Sequence, residues 1–314
     1  MMMPPLTDEQ ADGSNYERST GGSVLTESSQ KSVFDIIKNM EATLRKQGIP
    51  TARLDAEVII GYYLNRDRVA LYRDGDYVPT FEELNSINQG LARRITGAPV
   101  AYIIGRKEFW SLEFEVNQSV LIPRPETELL VETVVKLVQR NRMSGMKILE
   151  IGTGSGAISV ALASELKSGL FFAMDVSRAA LAVARKNARQ HGVSSRIFFF
   201  CGNLCEPLKD AFDFVISNPP YISEHDYEHL STDVREFEPK AALIAGPEGT
   251  EFHRDIINGA VPCIRKGGWL VMEVGYGQRE AVERMLRQSE KYDYIGTRCD
   301  YAGIDRIIMA RRKE

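Results

Sequence analysis

The chain has 314 residues, 43% of them hydrophobic and 26% charged, and its formal net charge is −4. That length has room for two domains at about 100 to 200 residues each, and the acidic balance argues against a protein that grips naked nucleic acid over a broad face. Apolar runs fall short of the ~18 residues of a membrane span. The amino terminus lacks the blocks of a signal peptide and carries Asp8, Glu9 and Asp12, which disfavour a mitochondrial presequence, so a cytoplasmic monomer with no membrane partner and no stable hold on nucleic acid is expected.

Residues 1–30 are rich in Ser, Thr, Gly and acids, the pattern of a disordered extension. A helical domain is predicted over 31–104. Val33, Phe34, Ile36, Ile37, Met40 and Leu44 recur at spacings of three and four until Gly48-Ile49-Pro50 ends the run. Further helices are predicted over 52–64 and 80–96, the latter capped by Thr80 with Glu82 and Glu83 behind it and closed by Gly97-Ala98-Pro99. No catalytic cluster stands in this domain. Asp55, Glu57, Arg66, Asp67 and Arg68 read as a solvated face, and any separate function would be recognition.

Alternation of Phe109, Leu112, Phe114 and Val116 with Val120, Leu121 and Ile122 predicts a β-hairpin linker over 105–122, turning at Asn117-Gln118. Pro123-Arg124-Pro125-Glu126-Thr127-Glu128 then opens an amphipathic helix reaching Val138, with proline and acids in its first turn. Arg124 and Glu126 either belong to that helix start or line a pocket at the domain junction.

From 123 to the end, βα units alternate, the signature of a doubly wound α/β sheet. Strands are predicted at 147–151, 170–175, 196–201, 212–217, 269–274, 294–299 and 306–310, with helices near 157–166, 178–191, 251–261 and 278–288. Between the first strand and its helix runs Glu150-Ile151-Gly152-Thr153-Gly154-Ser155-Gly156. Glycines there permit tight turning and close backbone approach to a ligand at a helix start. The next strand ends in Asp175, placed to bind a ribose diol. The pair supports a nucleoside-containing cofactor without separating NAD from S-adenosylmethionine. Glu150 would either bind the cofactor's ammonium or support the loop from behind, and Asn203-Leu204, after the third strand, would sit by an adenine.

The four cysteines, Cys201, Cys205, Cys263 and Cys299, lie in or beside predicted core elements with no C-x-x-C pair and read as buried thiols. Cys201 and Cys205 are too few to hold a metal. His225 and His229 lie among Glu224, Asp226 and Glu228, which suits a solvated turn better than a metal site.

Asn218-Pro219-Pro220-Tyr221 follows the apolar run 212–217. Consecutive prolines end the ladder and stiffen the chain, and Pro219 restricts the backbone of Asn218. The Asn218 side-chain oxygen and the Pro219 carbonyl can accept from one planar NH₂ group, with the Tyr221 ring laid against the system that carries it.

Together the glycine loop, Asp175 and Asn218-Pro219-Pro220-Tyr221 resemble class I S-adenosylmethionine-dependent methyltransferases that modify planar nitrogen, a Rossmann-like seven-stranded fold. Leu121-Ile122-Pro123-Arg124-Pro125-Glu126-Thr127-Glu128 narrows this, because it resembles the opening of the catalytic domain in the HemK/PrmC family of protein-(glutamine-N5) methyltransferases. Ser217 to Ile222, Glu238-Pro239-Lys240-Ala241-Ala242-Leu243 and Ala302-Gly303-Ile304-Asp305-Arg306 are similar to the same family. The resemblance covers almost everything from Ser32 onward. It implies methylation of the Gly-Gly-Gln glutamine in peptide chain release factors, with S-adenosylhomocysteine as product. It also implies that Gly152 to Gly156 and Asp175 hold the cofactor, while Asn218, Pro219, Pro220 and Tyr221 hold the glutamine amide. Many relatives have an acid where Asn203 stands, which leaves the adenine contact open. The alternative is an N6-adenine methyltransferase on DNA or RNA, which would offer the same NH₂ from a flipped base.

Overall fold

Ser32 opens the helical domain with a capping box: its hydroxyl accepts from the Asp35 N–H, and the Asp35 carboxylate accepts from the Ser32 N–H. The computed structural model describes residues 31–204 and 212–314, so the extension expected over 1–30 and Cys205 lie outside the described residues. Five helices follow, α1 (Val33–Lys46), α2 (Ala52–Tyr63), α3 (Arg68–Arg73), α4 (Phe81–Ile95) and α5 (Val100–Ile104). They close on a core that includes Ile36, Ile37, Met40, Ile59, Ile60, Leu71 and Ile87. The short α3 and α5 were not expected, because six and five residues hold too few turns to show a period. The solvated face does not hold for Asp55 and Glu57. Both are buried, Asp55 accepting from Arg94 Nε at 2.7 Å and Glu57 from Arg53, Arg68 and Tyr72, as a buried carboxylate requires.

The hairpin turns earlier than predicted. β1 (Arg106–Phe109) pairs with β2 (Leu112–Glu115) around Trp110 and Ser111, both at φ 55°, the tight two-residue turn whose twist suits a hairpin. Asn117 instead caps a local turn, its side chain accepting from the Ser119 N–H. Nor does the hairpin merely link. Phe109 and Phe114 are buried in the core of the following domain, and Tyr102, Val116, Val120 and Ile122 pack with Ala180 and Val183 to join the two halves.

The remaining elements are α6 (Glu128–Arg140), β3 (Lys147–Ile151), α7 (Ala157–Glu165), β4 (Leu170–Asp175), α8 (Arg178–Gln190), β5 (Ile197–Cys201), β6 (Phe212–Ser217), β7 (Ile222–Ser223), α9 (Glu224–Tyr227), α10 (Thr232–Phe237), β8 (Ile244–Gly246), α11 (Glu251–Gly259), β9 (Ile264–Glu273), α12 (Arg279–Ser289), β10 (Tyr292–Cys299) and β11 (Asp305–Arg312). Seven strands form one sheet in the order β10-β11-β9-β6-β3-β4-β5, and β7 pairs with β8 in a separate ribbon. Neighbours from β9 to β5 are parallel, while β11 runs antiparallel to both of its partners. Helices α6 and α7 cover one face with the hairpin, and α11 and α12 cover the other. This is the doubly wound, Rossmann-like sheet read from the sequence. No helix among the described residues is long and apolar enough to cross a membrane.

Candidate active site

The chain leaves β3 toward β4 on one side, and β6 returns on the other. Such a reversal opens a crevice above the strand ends, where α/β sheets bind ligands. Gly152, Gly154 and Gly156 line its floor with φ of 75°, 55° and 81°, a region that strains any side chain. A Cβ on Gly152 or Gly154 would meet nothing within 4 Å, whereas one on Gly156 would come within 3.0 Å of Ala184 Cβ. The first two glycines therefore keep space open, and the third lets α7 pack on α8.

Hydrogen bonds tie this loop to the end of β4. The Met174 carbonyl accepts from the Gly152 and Thr153 N–H groups, both at 2.9 Å. Asp175 accepts from the Gly154 N–H at 2.9 Å and from the Ser177 N–H at 2.8 Å. Thr153 and Ser155 are buried, so the loop presents backbone to the crevice. Glu150 lies beneath it, 1% exposed, accepting from Thr153 Oγ1 at 2.7 Å, from the Ser159 N–H at 3.1 Å and from the Ser159 hydroxyl. Burial pushes its carboxyl up to about 7 against those bonds. Of the two roles the sequence left open, this placement serves support from behind. A glycine cradle with room at two Cβ positions, beside a carboxylate closing the next strand, fits a nucleoside-bearing methyl donor.

Asn218 follows β6 at the rim of the same crevice. Its Nδ2 donates to Thr127 Oγ1 at 3.0 Å, which leaves Oδ1 as an acceptor. Among the described residues no protein donor reaches Oδ1 or the Pro219 carbonyl. The Tyr221 carbonyl accepts from Gln278 Nε2 at 2.7 Å, and the same amide spans the Gly249 carbonyl and the Gly275 N–H, both at 3.0 Å. Gln278 thus clamps the diproline corner to two neighbouring loops. The Tyr221 hydroxyl donates to Glu273 Oε1 at 3.4 Å. Burial, then the charge of Glu273, raise the Tyr221 pKa, so the ring stays a neutral phenol.

Of the other expected site residues, Arg124 and Glu126 lie near enough to the corner for their charges to act on Tyr221 and Glu273, while Asn203 and Leu204 follow β5. Arg124 donates to Glu238 at 2.5 Å, and Glu238 also accepts from the Ile122 N–H at 3.1 Å, which makes Arg124 a strut. Glu126 is exposed and lines a cavity of about 520 Å³ with Trp110, Pro125 and Tyr301. Asn203 is exposed beyond β5, and Leu204, at φ 50°, packs against the face under α11. Thr127, Glu273, Gln278 and Asn187 were not expected.

Cys263 is buried, but Cys201 and Cys299 are exposed, because they end the two edge strands of the sheet. The His225 and His229 rings lie 4.9 Å apart on an exposed turn. No group of three His, Cys, Asp or Glu side chains among the described residues can hold a metal ion.

The PrmC N-terminal domain model matches residues 35–105, and the Methyltransferase small domain model matches 125–238. The chain is 41% identical over 269 residues to the release factor glutamine methyltransferase of Geobacter sulfurreducens, covering 85% of this chain and 92% of that one. It is 36% identical over 296 residues to the enzyme of the same name from Rhodopirellula baltica, covering 92% and 100%. The crystal structure of the hMettl16 catalytic domain in complex with MAT2A 3′UTR hairpin 6 superposes with a TM-score of 0.52 at 18% identity, over 74% of this chain and 82% of that one, and shares the fold. Matched at 36% to 41% identity over most of both chains by relatives of that name, the chain belongs to the family of release factor glutamine methyltransferases.

Proposed function

We propose that this protein methylates the side-chain nitrogen of the glutamine in the Gly-Gly-Gln motif of peptide chain release factors, using S-adenosylmethionine. The observation that carries the reading is the pair of free acceptors, Asn218 Oδ1 and the Pro219 carbonyl, on a corner that two prolines and Gln278 hold rigid. When bound, the cofactor supplies a sulfonium-activated methyl, whose transfer leaves S-adenosylhomocysteine.

The chain's own residues do the rest. Gly152 and Gly154 leave room for the donor, and Asp175 offers a carboxylate to its ribose. An amide nitrogen is a weak nucleophile because its lone pair is delocalised. Two acceptors on its N–H bonds raise electron density at nitrogen and hold it in line for displacement. The same carbonyl dipoles stabilise the positive charge that grows there. Once methylated, the nitrogen is acidic enough to lose its proton to solvent, so no side chain acts as base. Pro220 and Tyr221 wall the amide, and the helical domain over 31–104 docks the release factor.

Incubation with methyl-labelled S-adenosylmethionine tests the reading. Label is expected on a release factor and lost when its Gly-Gly-Gln glutamine is replaced by alanine. Label on duplex DNA, with none on the release factor, would contradict it.

A further inference from the structure

The cavity of about 520 Å³ lies between the hairpin tip, the start of α6 and the turn that joins β10 to β11. It is lined by neither the glycine loop nor the diproline corner, yet it begins beside that corner. Thr127 accepts from Asn218 Nδ2 at 3.0 Å, and the residue before it, Glu126, lines the cavity, one Cα step of about 3.8 Å away. A protein chain whose glutamine reaches Asn218 is close enough to set a neighbouring side chain in this opening, since an extended chain advances about 3.3 to 3.6 Å per residue.

The walls are held in place. Trp110 turns the hairpin at φ 55°, its N–H donating to Glu128 at 2.8 Å and its indole N–H to Glu165 at 2.9 Å. On the β10–β11 turn, Asp300 accepts from the Ala302 N–H at 2.9 Å, the Ile304 N–H at 3.0 Å and Arg306 Nε at 2.9 Å. That turn carries Tyr301, which is fully exposed and lines the cavity. An aromatic side chain held out in water by a braced turn offers a face for a partner to cover.

Charge names the occupant. Four carboxylates line the cavity, those of Glu126, Glu128, Glu132 and Asp300, against two cations, Lys136 and Arg298. Both cations pair with Glu132, and Asp300 pairs with Arg306 at 2.9 Å. Among the described residues no ion pair reaches Glu126 or Glu128. Arg306 attracts Glu126 from farther off but is committed to Asp300. The lining is therefore negative, with aromatic faces near an unpaired carboxylate. Carboxylate and ring together suit a guanidinium, which pairs with the one and stacks on the other.

We propose that this cavity is a specificity subsite for an arginine side chain of the protein substrate, within about three residues of the methylated glutamine, with Glu126 as its counter-ion and Tyr301 as its stacking face. This rests on the methyl-transfer reading above and adds a second point of recognition to it. The hairpin then serves as one wall of a substrate site as well as a joint between the two halves.

The probes are short Gly-Gly-Gln peptides with arginine at one of four places, the position before the first glycine or one of the three after the glutamine. Each is matched by peptides with citrulline, which keeps the shape of arginine without its charge, and with glutamate. Wild type is expected to favour arginine over citrulline at least about fivefold in kcat/KM at one or more places, through KM. Glu126→Gln and Tyr301→Ala should cut that preference below about twofold, and Glu126→Lys should reverse it in favour of glutamate. KM for S-adenosylmethionine should stay within about threefold of wild type throughout. Equal kcat/KM for arginine and citrulline at all four places, or an arginine preference that survives Glu126→Lys, overturns the proposal. A release factor assayed alongside separates the two failures. If it is methylated while the peptides are not, its KM in Glu126→Lys decides: a rise of at least about fivefold supports the subsite, and an unchanged value overturns it. If neither is methylated, the methyl-transfer reading fails, and fluorescence anisotropy with the same peptides still decides the cavity. Tighter binding of arginine that Glu126→Lys abolishes supports it, and equal affinities overturn it.

Discussion

Asn187 Nδ2 donates to the Ser155 carbonyl at 2.8 Å, and this one side chain joins the hairpin to the glycine loop. It also donates to the Glu115 carbonyl at 3.0 Å and accepts from the Glu115 N–H at 2.8 Å, with no exposed surface. Asn187→Ala would leave three backbone groups without partners: the buried Ser155 carbonyl, at about 1 to 3 kcal/mol, and the partly buried Glu115 carbonyl and N–H, which water can reach and which cost less. A loss of about 2 to 4 kcal/mol in denaturant unfolding is expected, together with weaker S-adenosylmethionine binding in calorimetry, because Ser155 belongs to the loop. Unchanged affinity would show that the hairpin does not communicate with the cofactor site.

Two glycines of that loop should fail differently. Gly154→Ala keeps space around its new Cβ and strains only its φ of 55°, about 1 kcal/mol. Its Cβ would project where the ligand approaches, so affinity for S-adenosylmethionine should fall at least about tenfold with little change in Tm. Gly156→Ala adds a contact at 3.0 Å to Ala184 Cβ and one at 3.2 Å to its Cα. Its loss should appear first in stability, as a lower Tm before any ligand is added. Equal effects of the two on Tm would contradict this division.

Most of the sheet was legible because branched and aromatic runs bounded by turns mark buried strands. The hairpin turn was misplaced, since Trp110 and Ser111 carry none of the Asn-Gly chemistry that announces a tight turn. The glycine loop, Asp175 and the diproline corner stand out in the sequence because each is local. Thr127, Asn187, Glu273 and Gln278 do not, being single polar residues whose partners lie 91, 32, 52 and 57 positions away. One signal existed. Glu273 closes an apolar strand as Asp175 does, and an acid in that position must find a purpose.

Glu150 and Glu273 make stability depend on pH in the opposite sense to most carboxylates. Burial raises both from an ordinary 4.5 to about 7. Each therefore contributes stability that is complete below about 4.5 and is lost as pH rises to about 7, on the order of 3 kcal/mol apiece. Glu150→Gln removes one of these titrations. The fall in Tm between pH 5 and pH 8 is expected to be smaller in that variant than in wild type. A fall of the same size would mean that Glu150 ionises near its ordinary value.

The most direct measurement of the central claim is single-turnover methylation of a release factor by the Asn218→Ala enzyme, alongside its affinity for S-adenosylmethionine. Loss of the Oδ1 acceptor should slow transfer at least about tenfold, roughly 1.4 kcal/mol or more, while cofactor affinity stays within about threefold of wild type. An Asn218→Ala enzyme that methylates the glutamine at the wild-type rate would contradict the paired-acceptor corner.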